Sequence, residues 1–369
     1  MGSVRGNETN LSLRKKERCS RDLSTRHKMR AVALKEKRKF EIKEIEEPIS
    51  KNGEVIIDVV MAGICGSDLH YFETGEPKGL ILGHEFSGHV VDPGSREDLK
   101  VGDLVTALPI SPCGHCEACG SGNPQYCKET WSDAVGLSLT RPGALTKRIS
   151  VRPDMVLKVP ENVSAKEMAL VEPTAVALHG VHLANIKLGE KVLVIGGGII
   201  GLMSAMLAKK EGASFVAVSE TNPGRGKKAL ALGVADKYYD ATKEDMIQEV
   251  MADTKSGFDV VIECCGNAGA VTSSLMMVKP GGTVVLVGVA TGPISIPTVI
   301  AVMNELTVQG AIAYTKDEFE KTIAMIASKQ LEVLPFVDDV VSLDQVQDAY
   351  ERLTSGTDQA VKILVDPNL

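Results

Sequence analysis

The 369-residue sequence predicts an α/β protein with two parts, a doubly wound parallel sheet and a β-rich domain. Three observations lead there. From Met29 to about Val171 the apolar runs are short and separated by Gly- and Pro-marked turns, the pattern of a β-rich unit. From Lys191 onward near-continuous apolar runs of about five residues alternate with helix-like segments, as strands of a parallel sheet covered on both faces do. A glycine-rich turn joins the first of these runs to its helix.

In order, A-V-A-L, V-I-I-D-V-V-M, H-V-V-D and L-V-T-A-L read as strands of the first unit. K-V-L-V-I then opens the alternating region, followed by a helix over Gly201 to Glu211 and a second strand, F-V-A-V-S. F-D-V-V-I-E-C and G-T-V-V-L-V-G-V are later strands, each preceded by helical sequence. After about Ala313 come a helix, K-D-E-F-E-K-T-I-A-M-I-A-S, and a last strand, A-V-K-I-L-V, which return to the first unit. The expected division is 29–173 with 313–369 as the β-rich domain and 174–312 as the parallel-sheet domain. Residues 1–28 are polar and basic without an apolar segment and read as a disordered arm or as the product of an upstream reading start. Glu8, Glu17 and Asp22 within it oppose an amphipathic targeting peptide.

Composition excludes some partners. A formal net charge of −7 argues against nucleic acid and against an anionic membrane surface, and no apolar run is long enough to span a bilayer. The eight cysteines do not form a disulfide framework in a chain without a secretory signature, so a cytoplasmic location is expected. Four of them, Cys113, Cys116, Cys119 and Cys127, follow C-x2-C-x2-C-x7-C on one Gly- and Pro-containing loop. That spacing fits a closed tetrahedral zinc site, which holds structure and leaves no position for chemistry. His115 is surplus to four thiolates.

The turn Gly196-Gly197-Gly198-Ile199-Ile200-Gly201 is G-x-G-x-x-G, a weak signal alone. Here it follows a strand, opens a helix and has an acidic residue, Glu220, at the end of the next strand, about twenty residues on. This is the full setting of a Rossmann dinucleotide site. Gly196 permits the tight turn, Gly198 lets backbone approach a pyrophosphate and Gly201 allows close helix–strand packing, while the helix N-terminus faces the phosphates. Glu220 is placed to accept from the adenosine ribose hydroxyls and to repel a 2′-phosphate, favouring NAD over NADP. Arg225 could bind the ribose or help hold that phosphate.

Upstream, I-C-G-S-D-L-H carries Cys65, Ser67, Asp68 and His70, and L-G-H-E-F-S-G carries His84 and Glu85. Cys65 and His84, with Glu85 or with Glu172 of L-V-E-P-T, offer three mixed ligands and an open fourth position, the pattern of a catalytic zinc. A lone cysteine or histidine is more often core or a hydrogen-bonded structural residue; the joint set carries the weight.

G-I-C-G-S-D-L-H, G-H-E-F-S-G, the four-cysteine loop, L-V-E-P and V-L-V-I-G-G-G-I-I-G stand in one order, and from Met29 on the chain resembles the zinc-dependent medium-chain dehydrogenase/reductases, which include alcohol, sorbitol, threonine and butanediol dehydrogenases. The resemblance implies a GroES-like catalytic domain beside the Rossmann domain, and two zinc ions per chain. It implies that Cys65, His84 and Glu85 hold the catalytic zinc, with Glu172 as ligand or water-mediated neighbour, and hydride transfer between a secondary alcohol and NAD. It further suggests that Ser67 takes the hydroxyl proton and passes it by way of the nicotinamide ribose to His70. Ile200 is expected behind the nicotinamide, with Val287 and Val289 meeting its carboxamide through the backbone. A homodimer or homotetramer acting on an alcohol or polyol is expected.

Sorbitol-type members carry an arginine where this chain has Ala313 before Tyr314, so butanediol- or threonine-dehydrogenase-type activity is the alternative substrate assignment. A retired enzyme that only binds nucleotide and zinc is the non-catalytic alternative. Tyr71, Phe72 and Trp131 are candidate linings of the substrate mouth. Cys264 and Cys265 read as packing residues, and no role is assigned to His89, His179 or His182.

Overall fold

The computed structural model describes residues 27–290 and 292–369. The expectation of a disordered arm falls almost wholly outside them. The first strands, β1 (Lys28–Glu36) and β2 (Lys39–Glu46), form an antiparallel hairpin, turned at Arg38 with a positive φ.

The second sheet joins distant parts of the chain. It contains β3 (Val55–Gly63), β4 (Glu85–Asp92), β5 (Leu104–Ala107), β6 (Arg148–Val151) and β7 (Val156–Lys158). The late strands β14 (Asp339–Val341) and β15 (Ile363–Val365) complete it in the order β14-β15-β3-β4-β5-β7, with β6 also on β3. β3 is buried over most of its length because neighbours cover it on both edges and a core closes over it.

The third sheet is parallel throughout: β8 (Lys191–Ile195), β9 (Phe215–Glu220), β10 (Lys237–Asp240), β11 (Phe258–Glu263), β12 (Val278–Leu286) and β13 (Thr307–Gly310). Its order, β10-β9-β8-β11-β12-β13, reverses direction between β8 and β11, and in such sheets the crevice at the carboxyl ends of those strands takes the ligand. β8 and β9 read as continuous apolar runs because helices cover both faces of the sheet. The expected helix after β8 starts two residues earlier, Ile199–Lys210, with Gly198 as its N-cap.

The helix Val171–Ala184 links the two halves, packing on the helix Ile199–Lys210 and on the helix Lys316–Ala327. Eleven of its fourteen residues are buried, so it acts as a shared core element rather than a surface helix. Phe40, Phe72 and Tyr350 meet at ring-centroid distances of 5.2, 4.7 and 5.4 Å. Each such pair adds about 0.5–1.5 kcal/mol beyond area burial. Together they pin the helix Gly66–Thr74, which starts at the candidate metal ligand Cys65. Phe72 is therefore fully buried core, and its expected place at the substrate mouth is corrected.

Candidate active site

Strand register brings the catalytic constellation together. β3 pairs antiparallel with β4 so that Gly63 faces Glu85, which sets Cys65, just past β3, against His84, just before β4. The ligand atoms of Cys65, His84 and Glu85 lie within 4.8 Å of one another. Cys65 is the N-cap of its helix, and Asp68 Oδ2 accepts its backbone N–H at 3.1 Å. The other Asp68 oxygen lies 3.3 Å from His84 Nδ1, which leaves Nε2 for a metal, the usual carboxylate–histidine arrangement around one.

Glu85 has a partner that sequence reasoning missed. Lys362, fully buried, donates to Ile64 O at 2.9 Å and forms an ion pair with Glu85 Oε2. β15 delivers it by pairing Leu364 with Gly63. A Cβ at Gly63 would lie 2.0 Å from Glu85 Oε2 and 3.0 Å from Lys362 Nζ, so only glycine leaves room for the pair. A single lysine in an apolar strand carries no signal of its partner; the register supplies it.

A metal fits here. Glu85 Oε1 is buried without a hydrogen-bond partner, and buried polar atoms rarely stay so. Burial pushes the Cys65 thiol up. Burial alone would lower His84, yet Asp68 and the Cys65 sulfur push it well above its ordinary value. Burial also lifts Glu172 to about 7. Anionic ligands held against their preference in a dry site call for a cation, which reverses that balance. Glu172, in the first turn of Val171–Ala184, lies outside the three-atom cluster and accepts from Tyr314 OH at 3.0 Å.

Ser67 Oγ donates to Cys65 Sγ at 3.3 Å, and His70 is exposed one turn further along the same helix. Tyr71 packs in part on the core, and Trp131 is exposed.

The four-cysteine loop gathers as its spacing predicts, with Cys113, Cys116, Cys119 and Cys127 sulfurs within 4.8 Å of one another. Backbone N–H groups of Cys113 and Glu129 donate to Cys127 Sγ and pull its thiol down to about 6, favouring the thiolate a metal needs.

At the parallel sheet, Gly196 turns with φ +105°, and a Cβ on Gly201 would meet Gly196 O at 1.9 Å. A Cβ on Gly198 would meet open space, at the uncapped N-terminus of a twelve-residue helix. That open cradle fits a pyrophosphate. Glu220 differs from expectation in its partners: Gly197 N–H donates to Oε2 at 2.6 Å and Asn222 N–H to Oε1 at 2.7 Å. Its carboxylate braces the glycine-rich turn. Arg225 Nε is buried without a partner, and its charge favours ionised Asp358 behind the main contribution, the Arg352 hydrogen bond. Ile200 packs partly on the core at the start of its helix. Val287 N–H donates to Glu263 O at 2.8 Å, and Val289 is exposed. Cys264 packs on the core, but Cys265 is exposed, correcting its reading as packing, with its sulfur 2.8 Å from where a Gly196 Cβ would stand.

An open three-ligand cluster beside a Rossmann crevice defines a metal-dependent oxidoreductase, and comparison with known proteins gives its family. Residues 51–161 match the alcohol dehydrogenase GroES-like domain and residues 200–328 match zinc-binding dehydrogenase. Sorbitol dehydrogenase of Bacillus subtilis (strain 168) is 33% identical over 353 residues, 92% of this chain and 98% of that protein. The 2R,3R-butanediol dehydrogenase structure from Bacillus subtilis superposes with TM-score 0.81 at 31% identity, covering 92% of this chain and 100% of that one. A zinc-binding dehydrogenase from Sinorhizobium meliloti 1021 bound to NADP gives TM-score 0.83 at 30% identity, with coverage of 92% and 100%. The chain belongs to the zinc-dependent medium-chain dehydrogenase family and is a zinc-dependent, nicotinamide-linked alcohol dehydrogenase in type.

Proposed function

We propose that the protein transfers hydride between the secondary alcohol of a polyol-like substrate and NAD, with a catalytic zinc at Cys65, His84 and Glu85 and a structural zinc at Cys113, Cys116, Cys119 and Cys127. The observation that carries this is the three-ligand cluster with its orphaned Glu85 oxygen. A zinc ion bound there would supply Lewis acidity toward a hydroxyl oxygen, and the nicotinamide would accept the hydride.

The chain's own residues do the rest. Asp68 and Lys362 orient His84 and Glu85. Glu172, held by Tyr314, borders the metal site. Ser67, on the Cys65 sulfur, takes the hydroxyl proton as it releases its own toward exposed His70, which passes it to solvent. Gly196, Gly198 and Gly201 shape the phosphate cradle, Ile200 lies behind the nicotinamide, and Val287 and Val289 border its carboxamide. The division proposed is 29–173 with 313–369 and 174–312; that β14 and β15 share a sheet with β3 while β8 to β13 form another supports it.

NAD is preferred because Glu220 is a braced carboxylate at the ribose, while Arg225 shares its charge with Asp358. The named activities of the sorbitol and butanediol relatives support a polyol or vicinal diol. Ala313, at φ 48° with no basic side chain, leaves room for the smaller diol as the second assignment.

A homo-oligomer is supported by one surface. Val299, Val302 and Met303 are 64%, 72% and 77% exposed beside β13, whose four residues are all exposed at the open sheet edge. Such an edge can pair antiparallel with its own copy across a two-fold axis while burying those side chains. No helix among the described residues is long and apolar enough to cross a membrane. The cytoplasmic assignment rests instead on the free cysteines, which suit a reducing compartment.

Absorbance at the NADH band with sorbitol, xylitol, 2,3-butanediol and threonine tests the function. Turnover with NAD that is lost on chelation and restored by zinc is expected. Cofactor and zinc binding without turnover on any secondary alcohol would leave the retired-enzyme reading standing.

A further inference from the structure

Tyr314 enters the site from the far side of the fold. Its hydroxyl donates to Glu172 Oε1 at 3.0 Å, and both residues are buried. The preceding residue, Ala313, has φ 48°, and the following one, Thr315, caps the helix Lys316–Ala327. That cap is a reciprocal box. Glu318 N–H donates to Thr315 Oγ1 at 3.2 Å, while Thr315 N–H and Oγ1 donate to Glu318 Oε2 at 2.8 and 3.0 Å.

The same Glu318 carboxylate has two further donors. His179 Nδ1 donates to Oε2 at 2.9 Å and His182 Nδ1 to Oε1 at 2.8 Å. Burial would raise the Glu318 carboxyl, but the two imidazoles and the Thr315 N–H hold it well below the usual carboxylate range. His179 Nε2 is buried without a partner, so the ring's hydrogen bonding within the protein is all toward Glu318.

His179 and His182 stand on the helix Val171–Ala184, the one that carries Glu172. Spacings of seven and three residues put all three side chains along one side of it. The contacts close a ring: Glu172 to Tyr314, along the chain to Thr315 and Glu318, and back through His179 and His182 to the first helix. An ordinary capping box ends at Oε2 of its glutamate. Here both oxygens are also clasped from across the helix–helix contact, which fixes the angle and height at which Tyr314 leaves the capped turn.

We propose that Glu318, clasped by His179 and His182, is a positioning residue that holds the Tyr314 hydroxyl on Glu172 and so sets the placement of that carboxylate at the active site. It touches neither substrate nor metal and acts only through Tyr314. Its effect on turnover rests on the proposed function; its effect on Tyr314 does not.

The test compares Glu318→Ala, Glu318→Gln, Tyr314→Phe and the double variant Glu318→Ala/Tyr314→Phe, all as zinc-loaded full-length protein. Glu318→Ala and Tyr314→Phe are each expected to lower kcat about tenfold, the size of one lost charge-assisted hydrogen bond. KM for NAD should be unchanged. The double variant should be no worse than Tyr314→Phe alone. Multiplying losses in the double variant would show a merely structural role and overturn the proposal.

A crystal structure of Glu318→Ala supplies a readout free of activity. Tyr314 OH should have left hydrogen-bond distance of Glu172; if it stays, the proposal fails. Should the alanine variant not fold, Glu318→Gln keeps an acceptor for the cap but meets one imidazole with an amide, and the same displacement and the same non-multiplying losses with Tyr314→Phe are expected of it. A wild-type enzyme that oxidises no alcohol would sink the function while the crystallographic arm still decided the clasp.

Discussion

Glu172 is a carboxyl that folding makes weaker as an acid. Burial lifts it to about 7, while in an unfolded chain it would titrate near the ordinary value of about 4.3. Between these values the unfolded chain releases its proton first and the folded protein keeps it. Stability of metal-free protein should therefore fall as pH rises across that window. Thermal melts of chelated protein at steps of pH check this, with Glu172→Gln expected to flatten the dependence. An unchanged slope in the variant would assign the effect to another group. With zinc bound the cation favours ionised carboxylates nearby, so the loss should shrink. His84→Ala, by contrast, should abolish turnover and remove about one zinc per chain, leaving the four-cysteine site filled and NADH binding intact. Near-normal turnover in that variant, or in metal-depleted protein, would refute the metal mechanism.

The elements that carried a spacing rule were legible from sequence. C-x2-C-x2-C-x7-C predicts a gathered thiol cluster, and the four sulfurs do gather. Cys116→Ser should cost about one zinc per chain and lower the melting temperature, because structural zinc contributes folding energy directly. Full stability with unchanged metal content would disprove a structural site. The glycine-rich turn was equally readable, since Gly196 and Gly201 are forced by backbone geometry. The partners of Glu220 were not. Its position at the end of β9 follows from periodicity, but the backbone N–H groups of Gly197 and Asn222 that it accepts come from how two turns meet. Glu220→Ser should narrow the preference for NAD, and because the brace is lost it should also raise KM for both cofactors. Catalytic efficiencies with NAD and NADP measure the first effect; wild-type preference for NADP would mean that Arg225 prevails. Lys362, Tyr314 and Glu318 stayed hidden for the same reason as the Glu220 brace. Each acts on a residue more than a hundred positions away, and no local pattern encodes that pairing. Phe72 shows the converse error, an aromatic next to a motif that packing takes into the core.

At the scale of the whole molecule, the chain crosses between its two sheets and returns, so that residues of β14 and β15 sit beside β3. The exposed edge formed by β13 with Val299, Val302 and Met303 should be where a second copy docks. Replacing Val302 and Met303 together by Lys should shift the protein toward monomer in sedimentation velocity while leaving the far-UV circular dichroism unchanged. An unaltered oligomer would place the interface elsewhere.

The return of β15 also sets an order of events at the ribosome. Glu85 and its counter-ion Lys362 are separated by 277 residues. At roughly 5–20 residues per second, translation leaves a gap on the order of 15–55 seconds between them. Throughout that interval Cys65, His84 and Glu85 have already been made, but nothing neutralises the carboxylate and β3 lacks the neighbour that will cover one of its edges. A nascent chain in this state offers its thiol, imidazole and acid to whichever divalent ion is most abundant. The dry, charge-paired surroundings of these groups therefore belong to the finished sheet, and a ribosome stalled between these two positions would display them without their counter-ion.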